Sequence, residues 1–287
     1  MKKIFAIVLA VLMALSMIGC GKKASDSDQA YVKEQETPSA SEQADVKEQE
    51  TPNDSDLAYV KGQKKLIVGI TDFEPMDYLE GNEWIGFDAD MAKAFAKEIG
   101  VEVEFIEIDW DSKEMELENK SIDCVWNGMT LTDGVKKAME TSKAYCNNAQ
   151  IIVVNKSIAD SIKSAEDAAG LSFAVEGGSA GMEAASDNGF DFVEVQTQAD
   201  AVMEVAAGTS DACIIDSLMA AAMVGDGTSY PDLTYTVGLT EEEYGVGFRK
   251  GSDLAAELDK FFKKTYDDGS MMKIAEKYGT QASIIAQ

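Results

Sequence analysis

Polar residues follow the ends of several predicted strands, where they can form hydrogen bonds with a small molecule. Asn127 and Thr130 enclose a Gly-Met pair after an apolar run, and each side chain offers a donor and an acceptor. Asp216 follows another apolar run and can pair with an ammonium group. Gly178 and Ser179 precede a predicted helix, whose first backbone amides can bind an anion. Together they offer hydrogen-bond donors, hydrogen-bond acceptors and a negative charge at the predicted ends of strands and helices.

The composition argues against several common chemistries. The chain of 287 residues contains no His, which removes Ser-His-Asp and Cys-His pairs and His-based zinc sites. The sequence has neither a G-x-x-x-x-G-K phosphate loop nor a regular calcium loop. Its 52 acidic and 25 basic residues give a net charge of −27, whereas nucleic-acid binding needs a basic footprint. We expect no cofactor, no metal site and no nucleic-acid partner.

The best-defined predicted element is a helix over residues 88–99. Met91, Phe95 and Ile99 recur four residues apart, which gives the helix one apolar face. Asp88 is placed to cap its first turn, because the side-chain oxygen can accept the free amide protons there. Gly100 stands where a helix commonly ends in a left-handed residue.

Strands and helices alternate along the chain beyond Leu66. We predict strands near Leu66–Ile70, Val101–Ile106, Ile122–Trp126, Ile151–Val154, Ser172–Val175, Phe192–Val195, Ala212–Ile215 and Val246–Phe248. We predict further helices near Glu114–Asn119, Ala165–Ala168, Ala180–Asn188, Ala199–Ala207, Ser217–Val224, Leu254–Tyr266 and Ser270–Tyr278. Such alternation favours an α/β fold with mostly parallel sheets covered by helices.

The N-terminus is predicted to be a sorting signal. Two lysines precede the apolar run Ile4–Met17, which is shorter than the roughly 20 residues of a membrane span. The run leads to Met-Ile-Gly-Cys20, which is typical of a lipoprotein cleavage box. Residues 1–20 are therefore predicted to be a lipoprotein signal peptide with Cys20 as the acylated residue. The alternative is an uncleaved anchor.

Residues 21–64 are predicted to be a disordered acidic tether. They contain few large apolar residues and cannot bury a core. The segment VKEQETP occurs at Val32–Pro38 and again at Val46–Pro52, and AYVK occurs at Ala30 and at Ala58. We interpret these repeats as a duplicated spacer, and a flexible chain of this length spans about 40 Å.

Three cysteines remain beyond the predicted lipid attachment site: Cys124, Cys146 and Cys213. Their odd number does not complete a disulfide framework. We predict that all three are free thiols, and that Cys124 and Cys213 act as small hydrophobic groups in apolar strands.

The order of several motifs between about Lys65 and Gly279 resembles the bacterial solute-binding proteins of polar amino-acid ABC importers. The motifs are LIVGITDFEPMDY, WIGFDADMAKAFAKEIGVEVEFIEIDW, IDCVWNGMTLT, GLSFAVEGGSAG, TSDACIID and YGVGFRKGS. The resemblance implies a two-lobe periplasmic-binding-protein-like fold of type II. Each lobe would be a mostly parallel sheet with flanking helices, and two crossover strands would join the lobes.

The resemblance also implies where the lobes begin and end. Residues 65–152 and 245–287 would form lobe 1, and residues 153–244 would form lobe 2. Ile151–Asn155 would leave lobe 1, and Gly245–Arg249 would return to it. The solute would bind in the cleft between the lobes.

The resemblance assigns ligand contacts to a set of positions in this sequence. Phe73 and Met76 would form a wall against the ligand side chain, Asn127, Gly128, Met129 and Thr130 would form a turn that holds its charged groups, and Asp216 would accept from its ammonium. Trp110 and Trp126 are further candidates for the pocket wall. Alternatives remain open: Phe73 and Trp110 could pack in the core, and Asp216 could cap the following helix.

Two positions depart from the family at its carboxylate contacts. Val135 stands where the family usually has an Arg that clamps the α-carboxylate, and Ala180 stands where it has a Thr beside Gly178 and Ser179. Lys136 is adjacent to the first position, but Lys does not reproduce the bidentate geometry of Arg. We therefore expect ordinary α-amino acids to bind weakly and amine-bearing solutes to bind better.

The resulting functional hypothesis is a monomeric receptor that is lipid-anchored to the outer face of the cytoplasmic membrane. It would capture an amino-acid-like or amine-bearing solute between closing lobes and deliver it to an ABC permease. One alternative is an extracytoplasmic sensor for a membrane receptor. A more remote one is a cyclohexadienyl-dehydratase-like enzyme, in which a buried acid such as Glu176 could act as a general acid.

Overall fold

Two mixed β-sheets with helices packed against them form the two lobes of the protein. The computed structural model describes residues 55–287. The strands in chain order are β1 Lys65–Ile70, β2 Tyr78–Glu80, β3 Glu83–Ile85, β4 Glu102–Glu107, β5 Cys124–Thr130, β6 Glu140–Thr141, β7 Cys146–Asn148, β8 Gln150–Asn155, β9 Ser172–Glu176, β10 Asp191–Val195, β11 Ala212–Asp216, β12 Leu233–Gly238 and β13 Glu242–Phe248.

The helices alternate with these strands. They are α1 Asp56–Gln63, α2 Phe87–Ile99, α3 Lys113–Glu118, α4 Asp133–Ala138, α5 Lys156–Ala159, α6 Ala180–Asp187, α7 Gln198–Ala207, α8 Ser217–Met223, α9 Leu254–Asp267 and α10 Ser270–Tyr278. Short 3-10 helices cover Trp110–Ser112 and Glu166–Ala168. Among residues 55–287, no helix is long and apolar enough to cross a membrane.

The first sheet has the strand order β4-β1-β5-β13-β6, with β7 also paired to β13, and the second has the order β10-β9-β11-β8-β12. This arrangement confirms the expected two-lobe α/β architecture. The sheets are mixed rather than mostly parallel, because β13 is antiparallel to β5 and β8 is antiparallel to β11. These two strands directly follow the points where the chain changes sheets, so they enter each sheet from the opposite end.

The chain passes from the first sheet to the second at Ala149 and returns between Gly238 and Glu242. The two strands expected to cross between the lobes therefore each belong to one sheet only. β8 is the first strand that the chain forms in the second sheet, and β13 is the first strand that it forms after returning to the first sheet. The lobe boundaries at residues 152 and 245 stay a prediction.

The core of the first lobe is built from aromatic residues of α2, β5 and α9. Trp126 and Phe262 have ring centroids 5.6 Å apart, and Phe95 lies 5.4 Å from Phe261. The apolar face predicted for α2 is confirmed, since Met91, Phe95 and Ile99 are buried. In the second lobe, Phe173 stacks on Phe190 with centroids 4.5 Å apart.

Residues 55–63 require a correction to the predicted tether. Ser55 is the N-cap residue of helix α1, and Val60 within this helix is fully buried. The Arg249 side chain bonds to Asp56 at 3.0 Å and to Asp123 at 3.2 Å, which ties α1 to the first lobe. The polar composition did not indicate this helix, because its packing against the first lobe depends on one buried Val and one ion pair. Residues 21–54 of the predicted tether and the signal peptide with Cys20 lie outside the described residues.

Candidate ligand-binding site

A cavity of about 270 Å³ lies between the two lobes. Residues from both lobes contribute side chains to its wall, including Phe73, Trp110 and Asn127 of the first lobe and Glu176, Ser179 and Asp216 of the second. The strand ends of β5, β9 and β11 and the start of α6 converge there. Sheet edges and helix N-termini at such a junction are a common setting for small-molecule sites.

The lobes touch across this cavity. The Lys113 ammonium at the start of α3 donates to the Gly178 carbonyl oxygen of the second lobe at 2.9 Å. A Cβ atom at Gly178 would lie 2.9 Å from the Asp111 Cα, which is closer than two such carbons can approach. The absence of a side chain at Gly178 thus permits the approach of the two lobes.

Most of the predicted site residues line this cavity, whereas two do not. Those on the wall are Phe73, Trp110, Asn127, Gly128, Met129, Thr130, Val135, Gly178, Ser179, Ala180 and Asp216. Met76 is fully buried in the first lobe, where its carbonyl oxygen accepts from the Asp88 amide of α2 at 3.0 Å. Trp126 faces Phe95 and Phe262, because its position in the alternating strand turns it toward the helix layer.

The segment Asn127–Thr130 is the end of strand β5 rather than a turn after it. Met129 and Thr130 pair with Gly245 and Tyr244 of β13. Gly128 has a φ of +53°, and a Cβ atom there would lie 2.5 Å from the Phe73 ring. Only glycine therefore permits this close approach of the Phe73 ring to the strand at the cavity wall.

The Asn127 side chain is fully engaged within the first lobe. Its oxygen accepts from the Thr71 amide at 3.0 Å and the Thr71 hydroxyl at 2.8 Å. Its nitrogen donates to the Thr71 carbonyl oxygen at 3.0 Å and to the Asp77 carboxylate at 2.8 Å. These four bonds use the hydrogen-bonding capacity of an amide side chain, so Asn127 shapes the wall and has no group left for a ligand.

Asp88 has a different role from the predicted helix cap. Gly86 occupies the N-cap position of α2, and the Asp88 carboxylate is fully buried. It accepts from the Gly128 amide at 2.7 Å and from the Tyr145 hydroxyl at 2.6 Å. Burial raises the pKa of Asp88 to about 7, although both hydrogen bonds oppose the shift. Asp88 thus positions Gly128 of the cavity wall through its backbone amide.

Thr130 is bonded to Glu242 at the edge of the cavity. Its hydroxyl donates to the Glu242 carboxylate at 2.8 Å, and the same oxygen accepts from Asn148 at 2.7 Å and Gln150 at 2.8 Å. The sequence did not indicate Glu242 as part of the site, because it stands in a run of three Glu that is typical of a solvated face. The fold alone brings it to Thr130.

Asp216 is the most heavily bonded acid of the cavity. Its carboxylate accepts from the Tyr244 hydroxyl at 2.6 Å, from Gln150 at 3.1 Å, and from the Asn148 and Gln198 amides. It occupies the N-cap position of α8 but makes no side-chain cap bond, which removes the capping alternative. Burial, followed by the nearby Glu242 charge, raises the pKa of Asp216 well above its usual range.

A second buried acid and a buried amine line the cavity from different lobes. Glu176 is 2% exposed, and its Oε1 atom has no hydrogen-bond partner among the described residues. Burial first, and then the Asp216 charge, raises the pKa of Glu176 to about 8, while Lys113 opposes the shift. Lys113 is 7% exposed, and burial lowers the pKa of its ammonium while Glu176 raises it.

Lys113 is a site residue that the sequence did not indicate. The segment Lys113–Glu118 is predominantly charged, which favours a solvated helix face. A signal for Glu176 was present, since it ends a strand before a Gly-Gly pair just as Asp216 ends another strand. Among residues 55–287, the acids on the cavity wall outnumber the cations: the acidic side chains are Asp111, Glu114, Glu176, Glu183 and Asp216, against the single ammonium of Lys113.

Val135 is 8% exposed and packs beside Trp110, Leu117 and Met139 at the cavity wall. Its position therefore offers a ligand carbon atoms only. Lys136, the next residue, is exposed and borders a neighbouring cavity instead. Within residues 55–287, no group of His, Cys, Asp or Glu side chains is arranged to hold a metal ion.

Comparison with known proteins identifies the family. The model of the bacterial extracellular solute-binding proteins, family 3, matches residues 66–281. The arginine-binding extracellular protein ArtP of Bacillus subtilis (strain 168) is 32% identical over 225 residues, which cover 76% of this chain and 88% of ArtP.

Solved structures agree with this assignment. A mutant of ArgBP from T. maritima is 32% identical with a TM-score of 0.72 and covers 78% of this chain and 98% of that one. The ancestral amino acid-binding protein AncCDT-1, a precursor of cyclohexadienyl dehydratase, is 33% identical with a TM-score of 0.71 and covers 78% of this chain and 99% of that one. The fold and the family match together show that this chain belongs to the bacterial extracellular solute-binding proteins, family 3.

Proposed function

We propose that this protein captures a cationic, amino-acid-like solute for an ABC importer. The observation that carries the proposal is the acidic wall of the cavity, where, among residues 55–287, five Asp and Glu side chains and one ammonium line about 270 Å³. Two of these acids, Glu176 and Asp216, are buried, and burial raises their pKa values, so a ligand that brings positive charge would favour their ionised forms. ArtP, a relative at 32% identity, is an arginine-binding protein, which supports the same class of ligand.

Closure of the lobes around the solute is the proposed motion. The contact of Lys113 with Gly178 joins the two lobes beside the cavity, and hinge closure around a ligand is a common transition in two-lobe binding proteins. Asp216 and Glu176 would meet the ligand's positive groups, while Phe73 and Trp110 would cover its apolar part.

Calorimetry tests the ligand class directly. We expect L-arginine or L-lysine to bind to the purified full-length chain and L-glutamate not to bind, because a further carboxylate would meet the acidic wall. Tighter binding of L-glutamate than of both cationic amino acids would contradict the proposal. In cells, loss of the chain should reduce uptake of the solute that binds; unchanged uptake would favour the sensor alternative.

The membrane attachment is part of the same proposal. We propose that Cys20 carries a lipid that holds the protein at the outer face of the membrane, on the basis of the short apolar run before it. Cys20→Ala should release the protein or leave it as an unprocessed precursor. An intact mass with an unmodified Cys20 would contradict the attachment.

We further propose that the chain binds its ligand without chemical turnover. The sequence contains no His to act as a general acid or base, and its family consists of solute-binding proteins. Because AncCDT-1 is a precursor of a dehydratase, prephenate is the appropriate test substrate. Formation of a dehydrated product at a rate above background would contradict this proposal.

A further inference from the structure

The Lys113 ammonium lines the cavity and has one N–H donor without a partner among the described residues. It donates to the carbonyl oxygens of Trp110 at 3.1 Å and Gly178 at 2.9 Å, and it lies 4.9 Å from the centroid of the Trp110 ring. A lysine ammonium has three donors. Among the residues that the structure describes, it forms no ion pair, although the side chain is 7% exposed.

A buried ammonium without a paired anion is costly, and an incoming anion removes this cost. The neighbouring acid does not fill this place, since Glu176 is not bonded to Lys113 and its Oε1 atom lacks a partner. The cavity therefore holds an unpaired cationic donor and an unpaired acidic acceptor on opposite lobes. A zwitterionic group placed between them would satisfy both.

The start of α6 adds a second feature that favours an anion near Lys113. The carbonyl group that Lys113 holds belongs to Gly178, which directly precedes the N-cap residue Ser179. The first amides of a helix carry partial positive charge and attract anions. Ala180, at the first position of the helix, contributes only a methyl group to the wall.

We propose that Lys113 binds the carboxylate of the solute, in place of the side chains that Val135 and Ala180 lack. The proposal rests on the proposed function and narrows its ligand class. The solute is then a cationic amino acid rather than a simple amine, with its carboxylate between Lys113 and α6 and its positive groups at Glu176 and Asp216. This assignment replaces the expectation that ordinary α-amino acids bind weakly.

The competing role for Lys113 is a latch between the lobes through Gly178. A latch would affect every ligand equally, because closure is common to all of them. A carboxylate contact would affect only ligands that have a carboxylate. The ratio of two affinities within one variant therefore separates the two roles and cancels any loss of folded protein.

The experiment compares each amino acid with its decarboxylated amine by calorimetry on the full-length chain. The pairs are L-arginine with agmatine and L-lysine with cadaverine, and the variants are Lys113→Met, Lys113→Arg and, as an exposed control, Lys136→Met. We expect the wild type and Lys136→Met to prefer the amino acid by roughly ten- to hundredfold, the scale of a charge-assisted hydrogen bond. Lys113→Met should lose this preference, and Lys113→Arg should retain most of it.

The other outcomes are equally informative. A preference that survives in Lys113→Met overturns the assignment, because the carboxylate is then held elsewhere. Equal affinities of the wild type for the amino acid and the amine also overturn it, while the proposed function stands. A wild type that binds none of the four compounds contradicts the proposed ligand class and this assignment together.

Discussion

At the residue scale, the site divides into side chains that the fold has already used and side chains that retain bonding capacity. Asn127 spends all its hydrogen bonds on Thr71 and Asp77. Within the part of the chain that the structure describes, Glu176 has an oxygen without a hydrogen-bond partner and Lys113 has an unused N–H donor. The charged groups that are free to meet a ligand are thus fewer than the polar residues on the wall.

Asp216 is expected to contribute to the binding of a cationic ligand through its charge, because its carboxylate already accepts four hydrogen bonds within the protein. Asp216→Asn keeps the shape of the side chain and removes its charge, so the affinity for L-arginine should weaken by roughly 1–3 kcal/mol. The control is Asp191→Asn, an exposed change on β10 in the same lobe. Calorimetry should show normal affinity for the control, and an unchanged affinity of a folded Asp216→Asn would refute the role.

Glu176 should make the stability of the protein depend on pH. Its pKa rises from 4.5 to about 8 on folding, so the folded state binds this proton more tightly than the unfolded state. The free energy of unfolding should therefore fall as pH rises from about 4.5 to about 8, and level off above that range.

Glu176→Gln should have a shallower fall over the same pH range, because its amide does not ionise. Asp88 and Asp216 have raised pKa values as well, so part of the slope should remain. Urea titrations at pH 5, 6.5 and 8 measure the slope of the free energy of unfolding against pH, with the exposed Glu102→Gln on β4 as the control. A slope identical to that of the wild type would show that Glu176 is ionised in the folded protein.

At the element scale, helix α1 belongs to the first lobe because of a buried ion pair. Arg249 lies between Asp56 of α1 and Asp123 before β5, and its guanidinium also donates to the Ile122 carbonyl oxygen at 2.8 Å. The composition of the surrounding segment predicted a disordered tether. Arg249 is the only Arg of the chain, and its binding partners are far away in sequence.

Arg249→Met should destabilise the protein by about 3–5 kcal/mol, because it leaves two carboxylates without their buried partner. Lys263→Met removes an exposed pair with Asp267 on α9 and should have a much smaller effect. Urea denaturation of both variants gives the comparison. Equal and small losses would mean that the Arg249 network adds no net stability.

At the scale of the whole molecule, the approach of the lobes depends on the space at Gly178. Gly178→Ala should weaken binding of L-arginine by about tenfold or more, because its Cβ would lie 2.9 Å from the Asp111 Cα of the other lobe. Gly189→Ala is a matched control, since φ is +67° at Gly178 and +69° at Gly189. No described atom lies within 4 Å of a Cβ atom placed at Gly189.

Both alanine variants therefore carry the same cost of a left-handed conformation, roughly 1–2 kcal/mol. Only Gly178→Ala also obstructs closure of the lobes. Thermal unfolding should show similar losses of stability, while calorimetry should separate the two variants. If they bind L-arginine equally well, the closed contact at Gly178 is unnecessary for binding.

The sequence was sufficient for the alternation of elements, the family and most of the cavity wall. The apolar spacing of Met91, Phe95 and Ile99 depends only on neighbours along the chain, and it correctly predicted the buried face of α2. Trp126 was assigned to the wall, but strand β5 turns it toward Phe262. A strand pattern establishes alternation, but which face meets the ligand depends on the packing of both sides.

The tertiary structure alone decided the chemistry of the cavity. Thr71 with Asn127, Asn148 with Asp216, and Lys113 with Gly178 are each separated by more than fifty residues. Local sequence determines helices, strands and turns because those depend on short-range backbone and side-chain preferences. Whether a polar group is satisfied, buried or left free for a ligand depends on the neighbours that folding brings from distant segments, and so Lys113 emerges as a site residue only in the folded protein.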